Sequence, residues 1–353
     1  MVFQRIPLYN KKHKKVIHMI STIKQVAEKA GVSISTVSKV LKNYTNISEE
    51  TRTKVLKAVK ELNYVPNSTA SHLSSKNKDK VALYIYINDM KQAVDEINML
   101  YLQGAFAMAN VNQLELVTIF NQMVSDMSTQ ELISYLASQG ITGIIVYGLN
   151  KDDKKMLDLI EQQRFNICVI DAPIINEKTS SVMIDHQKGQ YDVAKSIIEP
   201  EYTRKVLYLA GKRNGYVTDM RIQGIMQLQK ELGFELNIQF AEFSEKMAYD
   251  LTMRYGSDVD TVVCASDLMA IGAMNALIKM NIYRKCCGFD GITLMRYAGR
   301  GMLTCRQDFY DISSCAITEM ERLLSGQKGH QVLIDHQIVS IRYEDAYNKY
   351  PPA

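Results

Sequence analysis

Between residues 22 and 62 the apolar positions return every three or four residues, the period of an α-helix. Ile23, Val26, Ala27 and Ala30 make one such face. Thr22 can cap this helix, with Gln25 at the spacing of a capping box. Gly31 stops it, because glycine enters the left-handed corner without a Cβ penalty. Val32 is an apolar plug, Ser33 a cap for a second helix, and Val37, Val40 and Leu41 that helix's inward side. Ser48 caps a third helix with Glu49 and Glu50 in its first turn, where the helix dipole favours anions. Its inward positions are read as Val55, Leu56, Val59 and Leu62, and it ends before Tyr64-Val65-Pro66. Residues 67–78 are small and polar apart from Leu73.

From Lys80 the period changes. Apolar runs at 81–87, 116–120, 143–148, 167–173, 181–185, 205–211, 261–266 and 286–290 read as strands buried on both faces. Between most of them lie stretches of helical period at 93–111, 130–139, 155–163, 189–198, 221–232 and 267–280. This alternation predicts parallel α/β sheets flanked by helices. The stretch is long enough for two lobes, and ligands of such sheets bind at the carboxyl ends of the strands.

Charge sharpens the division. Residues 1–79 hold 15 Lys/Arg against 5 Asp/Glu, a formal +10, whereas residues 80–353 hold 27 against 33, a formal −6. The basic quarter is where a polyanionic partner is expected. No apolar run approaches the ~20 residues of a membrane span. The basic N-terminus has no apolar run behind it and makes a poor signal peptide. The six cysteines lack zinc or redox spacing and read as buried free thiols. A cytoplasmic protein is expected, with no membrane partner and no cofactor.

The outer face of the second helix carries Ile34, Ser35, Thr36, Ser38 and Lys39, small, hydroxylated or basic side chains that suit a helix in the DNA major groove. A small helical hairpin in any globular domain has the same shape, so the context decides. GVSISTVSKVL, then ISEETRTKVLKAVKELNYVPN, a polar stretch with Leu73, and a two-lobed α/β body occur here in that order. Together with VMIDHQKG (182–189), DMRIQGIMQ (219–227), VVCASDLMAIGAMNAL (262–277), GFDG (288–291) and LTCRQDF (303–309), they make the chain resemble the LacI/GalR family of bacterial transcription repressors from Ser21 to about Glu344.

The resemblance implies a small all-α helix-turn-helix head on a two-lobed body like that of periplasmic sugar-binding proteins. The expected divisions are a disordered basic leader (1–20), the head (21–66), a hinge (67–79), the effector-binding and dimerisation body (80–345) and a tail (346–353). Ile34, Ser35 and Lys39 stand at the base-reading positions, although the family often has Arg in place of Lys39, and Lys lacks the planar fork for guanine. Thr22, Ser33, Thr36, Ser38, Asn43, Tyr64, Asn67, Ala70 and Leu73 complete the expected DNA contacts. Leu73 is the wedge of a hinge helix entering the minor groove. Arg221 and Asp290 stand where relatives hold effector hydroxyls or polar edges. Guanidinium and carboxylate supply the multi-toothed contacts a polyol needs, but a structural ion pair has the same residues.

Asn88, Tyr147, Asp185 and Ser266 are the other expected cleft residues. Asp89 and Asp171 also follow strands, and His186 is expected as a strand-end polar cap, with reach into the cleft as the alternative. Ser266 in place of a common Asn, Gly291 in place of an acidic residue, Lys188 before Gly189, and the missing Pro before LTC depart from the family pattern. They bear on which effector binds more than on the fold.

No strand-associated GxSxG, Walker loop, HExxH or paired CxxC is present, and no enzyme is expected. The reading is a DNA-binding regulator, expected to repress, whose affinity for a roughly palindromic operator is set by a sugar or sugar phosphate between the lobes. A homodimer is expected, since no heptad helix follows Tyr343 to build a tetramer. A solute-binding protein and an architectural DNA binder are the alternatives. The basic head disfavours the first, and a large cleft-forming body without a use disfavours the second.

Overall fold

The computed structural model describes residues 22–41, 44, 47–62, 64, 79–86 and 95–342. They fall in two compact units, one ending at Asn67 and the other beginning at Ser68. Asn43, Asn67, Ala70, Leu73, Asn88 and Asp89 lie outside the described residues, as do the leader and the tail.

Among the described residues the first unit holds three helices, α1 (Ile23–Ala30), α2 (Ile34–Leu41) and α3 (Glu49–Glu61). Local chemistry sets their ends. The Thr22 amide donates to Gln25 Oε1 at 2.7 Å, and the Gln25 amide returns to Thr22 Oγ1 at 3.4 Å. Gly31 takes φ 66°, and the Thr36 amide donates to Ser33 Oγ at 3.1 Å. Val26, Ala27, Val37, Val40, Val55, Ala58 and Tyr64 form the core. Leu56, expected inside, is 49% exposed. The buried stripe of α3 starts at Val55 and continues three, four and seven residues on, at Ala58, Val59 and Leu62, so Leu56 is turned about 100° off it.

The second unit holds two six-stranded sheets among the described residues. The first contains β1 (Lys80–Ile85), β2 (Glu115–Phe120), β3 (Ile141–Tyr147), β4 (Asn166–Ile170), β5 (Thr179–Ile184) and β11 (Gln331–Ile334), in the order β11-β5-β4-β3-β1-β2. The second contains β6 (Lys205–Ala210), β7 (Glu235–Phe240), β8 (Thr261–Cys264), β9 (Lys285–Asp290), β10 (Met302–Arg306) and β12 (Gln337–Ile341), in the order β12-β10-β9-β8-β6-β7. All neighbours run parallel except β12, which pairs antiparallel with β10 at an edge.

Helices α4 (Asp95–Val111), α5 (Thr129–Ser138), α6 (Lys154–Glu161) and α11 (Phe309–Leu324) belong to the first lobe. The second lobe carries α7 (His186–Lys195), α8 (Tyr216–Leu232), α9 (Glu245–Tyr255) and α10 (Asp267–Lys279). The described chain passes between the lobes after β5, after β10 and after β11. The carboxyl ends of β3, β4, β8 and β9, where side chains leave the sheets, are therefore brought to the junction of the lobes. No helix among the described residues is long and apolar enough to cross a membrane.

Strands β7, β10, β11 and β12 were not foreseen. Three of them are edge strands, half-buried and short of continuous apolar residues. Helices α9 and α11 were missed as well. The described cysteines are all free; five are buried and Cys315 is half-buried.

Candidate functional site

In the head, α2 presents Ile34, Ser35 and Lys39 to solvent, with Ile34 48% exposed despite its apolar side chain. Thr36 and Ser38 are half-buried at the margins of that face. An exposed isoleucine beside hydroxyls and a lysine is the arrangement a groove-reading helix needs, since thymine offers a methyl and guanine two acceptors. The hydroxyls of Thr22 and Ser33 are exposed but hold helix ends. Tyr64 does not join this face. It is 8% exposed and fills the core of the three helices, because its amide closes the end of α3 on the Val59 carbonyl and turns the ring inward.

In the body the site grows from two strand ends. Strand β9 ends at Asp290, a non-glycine residue at φ 120°, followed by Gly291 at φ 81°. Such backbone persists only where its surroundings impose it. Here Asp267, at the start of α10, imposes it. Its Oδ2 accepts from the Gly291 and Ile292 amides at 2.7 and 2.8 Å, and its Oδ1 from Thr304 Oγ1 at 2.6 Å. A Cβ on Gly288 would lie 2.1 Å from that Oδ1, so only glycine lets β9 pass beneath the carboxylate. Burial pushes the Asp267 carboxyl up to about 6 against these hydrogen bonds. Ser266, at the tip of β8, is buried and caps α10 by accepting from the Met269 amide.

Arg221 projects from α8 and is buried. Its guanidinium carbon sits 3.7 Å from the Phe289 ring centroid. Nη1 donates to the Ala265 carbonyl, while Nε and Nη2 point at His186 Nδ1 from 3.4 and 3.3 Å. Nη2 also lies 3.6 Å from Asp290 Oδ1. Asp290 accepts a second contact from Gln307 Nε2 at 3.0 Å. Burial pushes its carboxyl up to about 7, Arg221 opposes the rise and Asp267 adds to it.

His186 is fully buried at the first residue of α7, and its Nε2 lies 2.8 Å from Asp171 Oδ1. These partners decide its tautomer. Arg221 can only donate, so Nδ1 accepts, and Nε2–H donates to the carboxylate. Burial lowers the pKa of the imidazole, with Asp171 acting against it. Asp171, at φ 58° beyond β4, also accepts from the Tyr101 hydroxyl at 3.3 Å. One line of contacts thus runs from Tyr101 and Asp171 in the first lobe, through His186 at the first crossing, to Arg221, Asp290 and Gln307 at the second crossing.

Of the expected cleft residues, the structure brings Arg221 and Asp290 together and places Ser266 one residue from Arg221's carbonyl partner. Tyr147 is nearly buried, its hydroxyl bound to Ser313 Oγ at 2.7 Å and its ring 4.9 Å from Tyr101. Of the neighbours Asp185 and His186, it is Asp185 that takes the capping role expected of His186. Asp185 is exposed and caps α7, accepting from the Lys188 amide at 2.9 Å, and His186 turns inward. The helix starts at His186, so the residue before it takes the cap and the next points back over the sheet. Tyr101 and Gln307 were missed. Gln307 stood within LTCRQDF, but Tyr101 lies inside an apolar helix with nothing to mark it.

The lobes also meet at their rims. Asn150 and Gly215 form an antiparallel bridge, the Lys151 amide donates to the Asn214 carbonyl at 3.0 Å, and Asn214 Nδ2 donates to Asp152 at 3.0 Å. Lys151 pairs with Asp219, and Glu96 accepts from the Thr293 amide at 2.9 Å.

Residues 22–67 match the profile of bacterial regulatory proteins of the lacI family. Residues 105–293 match that of periplasmic binding proteins and the sugar-binding domain of the LacI family. Curated relatives include the HTH-type transcriptional regulator RegA of Clostridium saccharobutylicum, 26% identical over 91% of this chain and 98% of its own. Catabolite control protein A of Staphylococcus aureus is 25% identical over 91% of this chain and 98% of its own. Among solved structures, the transcriptional regulator CelR–cellobiose complex superposes with TM-score 0.66 at 24% identity, covering 90% of this chain and 98% of its own. The lac repressor dimer bound to operator and the anti-inducer ONPF superposes with TM-score 0.63 at 20% identity, covering 92% and 98%.

Proposed function

We propose, for a chain that belongs to the LacI family of bacterial regulatory proteins, that DNA affinity is set by a small effector held at the Arg221–Asp290 end of the cleft. The protein is a DNA-binding transcription regulator with a sugar effector. The observation that carries the effector assignment is the continuous line of buried and half-buried contacts from Tyr101 to Gln307, which joins both lobes and two of their crossings. A ligand bound to its polar atoms changes the energy of lobe closure directly, which a ligand on one lobe alone does not.

Ile34, Ser35 and Lys39 read bases, with Thr36 and Ser38 beside them. Residues 67–79 act as the hinge between head and body, and Leu73 is its wedge. The protein acts as a repressor and a homodimer in the compartment that holds the DNA, and carries out no catalysis. Exposed Met99, Phe106 and Val111 in the first lobe, with Ile278, Tyr283 and Tyr297 in the second, support a dimer, because they leave apolar side chains uncovered on the body. The relative bound to cellobiose and the one bound to operator as a dimer support the sugar and the two-fold site.

The test is a fluorescence-anisotropy titration of the full chain against DNA selected from a random pool, with and without sugars that raise its melting temperature. Binding to a two-fold symmetric sequence that moves with added sugar is the expected result. Sequence-independent binding that ignores every stabilising sugar contradicts the reading.

A further inference from the structure

We propose that the cleft selects an uncharged, hydroxyl-rich sugar and rejects its phosphorylated counterpart. This rests on the regulator reading above and adds the charge class of the effector.

The first ground is the balance of charge. Asp171, Asp267 and Asp290 lie along the buried line or directly behind it, and Arg221 is the cation among them. A phosphate entering here meets three aspartate side chains and one guanidinium. That guanidinium is committed: Ala265 carbonyl takes Nη1, His186 takes Nε and Nη2, and Phe289 covers a face. These contacts take three of its five N–H groups, and one of the two that remain, on Nη2, lies on the side of Asp290 Oδ1 at 3.6 Å, so a phosphate gripped there meets that carboxyl.

The second ground is the supply of other donors. Backbone amides at a strand end commonly cradle phosphates, but the Gly291 and Ile292 amides already donate to Asp267 Oδ2. His186 Nε2–H is spent on Asp171, and its Nδ1 accepts. Lys151 at the rim is held by Asp219.

The third ground is the acceptors that remain beside Asp290. Gln307 is 5% exposed, and its Oε1 is buried without a hydrogen-bond partner, although its Nε2 donates to Asp290 Oδ1. The contacts of Asp290 with Arg221 and Gln307 both use Oδ1, leaving Oδ2 as an acceptor. A buried acceptor without a donor is costly, and a ligand hydroxyl supplies the donor. A phosphate dianion brings oxygens that only accept, facing the Gln307 amide oxygen, which only accepts, and the Asp290 carboxyl, which repels it whenever it is ionised. The site thereby stabilises the neutral ligand and penalises the anion with the same atoms.

The experiment uses the full chain in thermal-shift and calorimetric titrations with glucose, fructose, ribose, maltose and cellobiose, and with glucose 6-phosphate, fructose 6-phosphate and ribose 5-phosphate. DNA affinity is measured on the same preparation. At least one neutral sugar is expected to stabilise the protein at millimolar concentration, with the phosphorylated sugars binding at least ~30-fold more weakly. Asp290→Asn should weaken the neutral sugar about tenfold or more and narrow the neutral-to-phosphate ratio. Gln307→Leu should weaken the neutral sugar without narrowing that ratio, and the ligand-free melting curve of each variant verifies its fold.

A phosphorylated sugar that binds as tightly as the neutral ones overturns the inference, as does a panel in which no neutral sugar shifts the melting temperature. If the phosphorylated sugar also changes DNA affinity, only the charge class is wrong and the regulator reading stands. If a neutral sugar binds with the expected selectivity but specific DNA binding is absent, the regulator reading fails and the charge class stands.

Discussion

Arg221→Ala tests how far the buried line is a working part. The substitution removes a guanidinium that meets the Ala265 carbonyl, His186 Nδ1 and Asp290 Oδ1 and stacks on Phe289. Removing one member of a buried charge pair typically costs ~3–5 kcal/mol, because its partner stays behind uncompensated. Burial has already pushed the Asp290 carboxyl up to about 7, and without Arg221 it goes higher and is neutral at assay pH. The stranded charge can therefore discharge itself, which places the expected loss at the lower end, ~3 kcal/mol. At about 2–4 °C per kcal/mol for a body of this size, the melting temperature should fall by roughly 6–12 °C. Sugar binding should fall by at least ~100-fold, since Arg221 orients both His186 and Asp290. Thermal melts and anisotropy titrations with and without sugar measure both effects. If the ligand is an inducer, sugar-free DNA affinity stays near wild type; if it is a corepressor, tight DNA binding is lost. Wild-type sugar affinity and an unchanged melting temperature together would refute the reasoning.

Three further outcomes follow from other parts of the chain. Lys39→Ala should weaken binding and relax base preference in a selection assay; a uniform loss across sequences would make Lys39 a phosphate contact instead. Leu73→Ala should lower specific DNA affinity and blunt the sugar response while leaving sugar binding by DNA-free protein intact; wild-type affinity and response in that variant contradict the wedge assignment. The folded carboxyls of Asp290 and Asp267, raised to about 7 and about 6, bind protons that the unfolded chain has released. Their contribution to stability is thus present at low pH and lost as pH rises from about 4 to about 7, and Asp290→Asn should flatten that decline in denaturant titrations across the range.

The head was almost fully legible because its information is local. Caps, Gly31 and the three- and four-residue apolar returns fix the helices without reference to the rest of the chain. Leu56 went astray where a single rotation, about 100° per residue, decides inside from outside. In the body, strands buried on both faces announced themselves as apolar runs, but β7, β11 and β12 are edges whose half-exposed residues carry little pattern. Arg221 and Asp290 were singled out because they stand within motifs, DMRIQGIMQ and GFDG, that resemble the family's, and not by any local pattern of charge. Which of Asp185 and His186 would cap the helix was not readable, because both can do so and only its exact first turn separates them. Tyr101 meets Asp171 across a separation of 70 residues, and no local signal encodes that contact.

The central claim is that one sugar-filled cleft controls DNA affinity through contacts that span both lobes. The most direct measurement is the linkage between the two ligands, obtained as the DNA dissociation constant of the full chain with and without saturating sugar, for wild type and for Asp171→Asn. Asp171 touches His186 and Tyr101 but lies outside the head, so its loss should leave sugar-free DNA binding intact and cut the wild-type coupling, expected at about 1–3 kcal/mol, by at least half. Full coupling in Asp171→Asn, or none in wild type with a sugar that demonstrably binds, would contradict the account.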